Sequence, residues 1–282
     1  MIEKINTSKE VDKMLDHIMS TELAPHTCQI FEKGRPKGMK PYGAGVMVIL
    51  NEMYFLLTAS HVVEDWSDEN QLFIKSKRGY ISIVGTMSQT DIAKSEGVDL
   101  AFIKLDEVIL PEILAGYKFL PLSKFRKHIN LLDAAQYCVI GYPEINKKID
   151  SKGIMQTGTS AYFMAPSKQK VYDYYNLKKR NHISLEFKGK GMDIRTGESK
   201  KLKGHHYGLS GCGLWLILIA NNQNVYSYDY RLIGIMTDFR RGKYDCLFGN
   251  HIEFILQALQ AFKHLNYKEI PVADVYTRYE NS

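Results

Sequence analysis

Twelve short apolar runs, separated by turns and falling into two groups of six, constrain this chain more than any other feature. The first group is 27–31, 45–50, 54–58, 71–75, 80–86 and 100–105; the second is 136–140, 154–164, 182–188, 213–219, 231–237 and 244–248. All favour Ile, Val, Phe, Leu and Tyr, whose branched and aromatic side chains pack well on a pleated surface. A connector at 111–130 divides the groups. Six strands, a connector and six more predict a mainly β chain with two six-stranded antiparallel barrels side by side, because closure removes exposed sheet edges. Two stretches have a helical period instead. Thr7 and Glu10 stand at capping-box spacing before Val11, Met14, Leu15 and Ile18, which predicts an N-terminal helix ending before Pro25. Ile252, Ile255, Leu256, Leu259 and Phe262 form a second stripe, predicting a C-terminal helix followed by a polar tail. The expected organisation is a helical segment at 1–24, a first barrel at 25–125, a second at 126–250, and helix and tail at 251–282.

Several function classes fall away on composition. With 282 residues, 45% hydrophobic and 24% charged, the chain is neither disordered nor fibrous. Its longest apolar run, 214–220, is far short of the ~20 residues that span a bilayer, so no membrane helix is expected. The N-terminus lacks the apolar core of a signal peptide, which predicts a cytoplasmic location. Cys28, Cys138, Cys212 and Cys246 form no Cys-x-x-Cys pair and read as reduced, buried thiols. The net charge of +6 is concentrated: 168–203 carries eleven Lys/Arg against four Asp/Glu, a local +7 that leaves −1 for the rest. A solvated face is the expectation for that segment, with a partner contact next in line and nucleic acid disfavoured.

Three segments place a reactive side chain beside small residues. In Thr58-Ala59-Ser60-His61 an apolar strand runs into a turn carrying a histidine, whose ordinary pKa of ~6.5 suits a general base. Val98-Asp99-Leu100-Ala101 puts an acid at the mouth of an apolar strand, where a carboxylate is costly without a partner such as an imidazole N–H. Gly208-Leu209-Ser210-Gly211 flanks a serine with glycines that permit a tight turn and leave N–H groups free for a developing oxyanion. Singly, each has an ordinary structural explanation: a surface histidine, a turn aspartate, a glycine turn.

Together, in the order His, Asp, Ser, they resemble the trypsin-like (chymotrypsin-fold) serine peptidases, especially bacterial members, over 43–254. Gly141-Tyr142-Pro143 and Leu232-Ile233-Gly234-Ile235-Met236-Thr237 fit the same pattern. The resemblance implies Ser210 as nucleophile, His61 as general base and Asp99 as the group orienting the imidazole. It implies an oxyanion hole from the N–H groups of Gly208 and Ser210, worth ~3 kcal/mol per donor. It places a hydroxyl, Thr237, in support of Asp99, and a substrate pocket between Thr237, Asp238 and Phe239 on one wall and Gly204, His205, His206 and Tyr207 on another. The implied function is a serine endopeptidase acting on a protein substrate, a regulated effector of bacterial stress or antiviral defence with an activating or regulatory protein partner. No cofactor or metal is implied.

The chain departs from the family pattern at three places. Leu209 stands where digestive members carry an aspartate that grips a new N-terminus, so that activation route is closed. Cys212 and Gly213 replace a Gly-Pro pair, which puts the turn geometry in question. Gly204 leaves no acid at the pocket floor, so cleavage after Lys or Arg is not implied. A Cys212 nucleophile would put Ser210 where a glycine belongs, and an α/β-hydrolase would need Gly-x-Ser-x-Gly followed by its acid and histidine. Residues 34–40 lack P-loop spacing, and His205-His206 has no zinc-spaced companions. From a different class, the alternative is a catalytically silent barrel pair that binds protein or nucleic acid.

Overall fold

The computed structural model describes residues 9–34, 38–67, 69–127, 135–143, 147–149, 155–187, 190–194, 199–201, 208–222, 225–263 and 277–278. Eight strands make the first sheet: β1 (Thr27–Lys33), β2 (Met39–Leu50), β3 (Met53–Thr58), β4 (Leu72–Ser76), β5 (Gly79–Ser82), β6 (Gly85–Gln89), β7 (Ala101–Leu105) and the two-residue β8 (Leu120–Pro121). They run β5-β4-β1-β2-β3-β7-β6 as a curled antiparallel half-barrel, with β8 parallel to β2. Here the expected strand at 80–86 divides. Its first part pairs with β4 and its second with β7, because the chain crosses at Ile83–Val84 from one end of the curled sheet to the other. The seam between β5 and β6 stays open, so this sheet curls without full closure.

Closure is complete in the second unit. Its strands are β9 (Ala135–Gly141), the hairpin β10 (Lys147–Ile149) and β11 (Met155–Thr157), then β12 (Ser160–Pro166), β13 (His182–Glu186), β14 (Lys190–Asp193), β15 (Ser199–Lys201), β16 (Gly213–Asn222), β17 (Val225–Arg240) and β18 (Cys246–His251). Six of them, β9, β12, β13, β18, β17 and β16, form a ring closed by the β12–β13 pairing. The run 154–164 also divides, between the separate β10–β11 hairpin and β12. β19 (Thr277–Arg278), within the segment expected to be a plain polar tail, adds to β17.

Among the described residues five α-helices accompany the sheets: α1 (Lys9–His17), α2 (Ser60–Val63), α3 (Leu110–Leu114), α4 (Gln169–Tyr174) and α5 (Ile252–Lys263). α1 continues through a π-helical turn, Ile18–Leu23, into a 3-10 turn that contains Pro25. Proline tolerates that first-turn position because its missing N–H has no helical partner there. Val11, Met14, Leu15 and Ile18 are buried as their spacing predicts; Thr7 lies outside the described residues. Among the described residues no helix is long and apolar enough to cross a membrane.

One apolar cluster joins the whole molecule. It takes Val46, Leu57 and Phe102 from the first sheet, Cys138, Trp215 and Leu232 from the second, and the buried faces of α1 and α5. The two barrels therefore share a core, and apolar burial at ~25 cal/mol per Å2 holds them together. The connector is fastened by charge as well. Lys124 Nζ and Arg231 Nε lie 2.7 and 2.5 Å from the two carboxylate oxygens of the fully buried Asp229, and Arg231 donates to the Ser123 carbonyl.

Candidate functional site

His61 sits on the single turn of α2. Ala59 is extended, and the buried Val62 and Val63 pin the turn, leaving the imidazole at the surface of the first barrel. Asp99 reaches it from the loop before β7. Its Oδ2 is 2.6 Å from His61 Nδ1 and its Oδ1 accepts the His61 backbone N–H at 3.0 Å, so one carboxylate fixes both ring and backbone. On the first barrel Thr90 holds this loop: its hydroxyl donates to the Val98 carbonyl at 2.7 Å and accepts the Leu100 N–H at 3.0 Å. Burial pulls the His61 pKa down, but the hydrogen bond and charge of Asp99 outweigh it, assisted by Glu64 and Asp238, and the net shift is upward. Nδ1 is thereby committed to Asp99, and Nε2 remains as the ring's proton-accepting atom.

Ser210 comes from the second barrel, on a loop fastened to the first. The Ser210 carbonyl accepts the Ala44 N–H at 2.8 Å, and Gly211 N–H donates to Met236 at 2.7 Å. Gly211 has φ +88°, and a Cβ there would lie 1.9 Å from the Ala44 carbonyl oxygen, so only glycine fits. Leu209 and Cys212, which both depart from the family pattern, point into the second barrel's core and are fully buried. Cys212 packs against Gly141, where a Cβ would come within 2.2 Å of its sulfur, which gives the Gly141-Tyr142-Pro143 segment a structural reason. Burial also pushes the Cys212 thiol pKa up and keeps its sulfur out of the cleft, an environment that disfavours a cysteine nucleophile.

His61, Asp99, Gly208 and Ser210 line one cleft of about 700 Å3, together with Thr237, Asp238 and Phe239. Gly208 has φ +91°, and among the described residues neither the Gly208 nor the Ser210 N–H has an acceptor. Tyr42, Ile92 and Arg241 also line the cleft, although nothing in their sequence context distinguishes them. Gly204, His205, His206 and Tyr207 lie outside the described residues. The Asp238 carboxylate is occupied, with Arg240 Nε at 2.5 Å and the Phe239 N–H at 2.7 Å. Phe239 packs edge-on against Phe187 with centroids 5.1 Å apart, and the Arg241 guanidinium lies 5.6 Å from its ring.

Two contacts differ from expectation. The Thr237 hydroxyl turns to the Phe248 carbonyl at 3.5 Å instead of toward Asp99, because the β17–β18 register bulges between Met236 and Asp238. Its place beside Asp99 is taken by Asn250, whose Oδ1 accepts the Asp99 backbone N–H at 2.9 Å. The Ser210 hydroxyl donates to the Thr237 carbonyl at 3.3 Å, and no Ser210–His61 hydrogen bond is formed.

No family model matches this sequence, and no curated protein matches it. Solved structures do match. One, described as the atomic-resolution structure of HBP, superposes with a TM-score of 0.51 at 12% identity, covering 88% of this chain and 95% of that chain. Another, the crystal structure of a scabies mite inactivated protease paralogue, S-I1, gives a TM-score of 0.51 at 13% identity, covering 86% and 95%. At such identities the likeness shows the fold alone: a chymotrypsin-like double barrel.

Proposed function

We propose that this chain is a serine endopeptidase that hydrolyses peptide bonds of a protein substrate through an acyl-enzyme. The observation that carries the reading is the 2.6 Å His61–Asp99 pair facing, across one cleft, the glycine-flanked Ser210 of the other barrel. In this reading Ser210 Oγ leaves the Thr237 carbonyl, gives its proton to His61 Nε2 and attacks the substrate carbonyl carbon. The negative charge on the carbonyl oxygen falls to the N–H groups of Gly208 and Ser210. Collapse breaks the C–N bond as the His61 proton passes to the leaving amine. Water then repeats the sequence, returning the proton to Ser210. Asp99 orients the ring and stabilises its charged form.

Thr237, Asp238 and Phe239, with Gly204, His205, His206 and Tyr207, are proposed to contact the substrate. The chain is further proposed to act in a bacterial cytoplasm, as a regulated effector of stress or antiviral defence; that step is analogy to the family it resembles. The Ser210–Thr237 hydrogen bond favours a second reading, a catalytically silent barrel pair that binds a partner. A fluorophosphonate probe followed by intact-mass measurement separates the two. Labelling of the wild type and not of Ser210→Ala is expected; an unlabelled wild type would support the silent barrel pair instead.

A further inference from the structure

We propose that Asn250 is a positioning residue for Asp99, and that Lys178, Arg180 and His182 complete the same clamp, so that the barrel carrying the serine holds the acid of the other barrel in register. The consequence for catalysis rests on the peptidase reading; the geometry does not.

The loop bearing Asp99, tied to the first barrel by Thr90, is also held from the second. Glu96 and Gly97 both have positive φ, +54° and +83°. Asn250, fully buried near the end of β18, ties that loop to its own barrel. Oδ1 accepts the Asp99 N–H at 2.9 Å, and Nδ2 donates to the carbonyls of Gly97 at 3.3 Å and Asn181 at 3.0 Å. His182 Nε2 meets the same Gly97 carbonyl at 3.1 Å. Outside this, Lys178 Nζ and Arg180 Nη2 lie 2.8 and 2.5 Å from the two oxygens of Glu96, and Asn181 Nδ2 donates to the Glu96 carbonyl at 3.3 Å. Two cations of the basic segment 168–203 are therefore spent on the residue three places before Asp99.

The clamp acts on the backbone of Asp99, leaving both carboxylate oxygens for His61. A displacement of Asp99 lengthens the bonds to the His61 ring and to its N–H together, since one carboxylate makes both. Misplacing a catalytic constellation by 1 Å costs on the order of 100-fold in rate.

The test uses the full chain as wild type, Asn250→Ala and Glu96→Gln. The His61 titration is followed by NMR of the ring, and the fluorophosphonate labelling rate is measured against pH. Glu64 and Asp238, which also face His61, are unchanged in every variant. In Asn250→Ala the His61 midpoint is expected to fall toward its ordinary value, with the acid limb of labelling moving the same way and the plateau dropping about 100-fold per folded molecule. Glu96→Gln, exposed and compatible with folding, shifts the midpoint in the same direction by less. A His61 midpoint and a per-molecule labelling rate equal to wild type would overturn the clamp, whatever the melting temperature does. If Asn250→Ala does not fold, an unmoved midpoint in Glu96→Gln overturns it. A wild type that resists the probe while the midpoint still moves would sink the peptidase reading and leave the clamp standing.

Discussion

Replacing Gly211 by alanine tests whether the serine loop is built against the first barrel. Its φ of +88° costs a side-chain-bearing residue about 1–2 kcal/mol. The new methyl would also lie 1.9 Å from the Ala44 carbonyl oxygen and 2.3 Å from Thr58 Oγ1, while the Thr58 hydroxyl already donates to that carbonyl at 2.7 Å. Neither neighbour can yield without breaking a buried hydrogen bond, and overpacking of this kind costs about 1–3 kcal/mol. The sum, about 2–5 kcal/mol, is a large part of a typical domain's 5–15. Urea denaturation of wild type and variant should show that loss. Hydrogen exchange at the Ala44 amide, which donates to the Ser210 carbonyl, should accelerate as the loop lifts. A loss below about 1 kcal/mol with Ala44 protection intact would refute the reasoning, because the loop would then have room that its geometry denies.

The buried His26 makes a pH prediction. Burial holds its pKa down at about 4, against the lesser upward pull of the Lys118 carbonyl 2.9 Å away, so the unfolded chain takes up a proton before the folded one. Its contribution is complete above pH 6.5 and lost as the pH falls to about 4, roughly 3 kcal/mol in all; His26→Asn should remove that slope from urea melts, and an unchanged slope would contradict it. Asp229→Asn should cost about 3–5 kcal/mol, since it leaves the buried Arg231 charge without its counter-ion; a thermal melt within 1 °C of wild type would show that the network is not what fastens the connector.

Much of this molecule was legible because its signals are local. A run of aromatic and aliphatic residues ending in Thr58-Ala59-Ser60-His61 announces both strand and turn, and the stripe from Ile252 to Leu259 announces α5 with its buried face. What escaped depends on residues distant in sequence. Nothing beside Asn250 connects it to Asp99, 151 positions earlier. Lys178 and Arg180 read as part of a solvated charge run because their partner, Glu96, belongs to the other barrel. The division of 80–86 is tertiary too: composition favours strand throughout, and only the two ends of a curled sheet demand the break at Ile83–Val84. For the Thr237 hydroxyl the cause is smaller, a one-residue bulge that re-aims it toward Phe248 while the residue still lines the cleft.

The separation between Asp99 and Asn250 bears on the timing of synthesis. At ~5–20 residues per second a ribosome needs about 8–30 s to pass from one to the other. Throughout that interval the nascent chain already contains His61 and Asp99, and for its last forty residues Ser210 as well, yet the Asp99 loop has only its first-barrel tether, Thr90, and lacks the bond from Asn250. The full set of bonds around Asp99 is therefore completed only after nearly all of the second barrel has been synthesised.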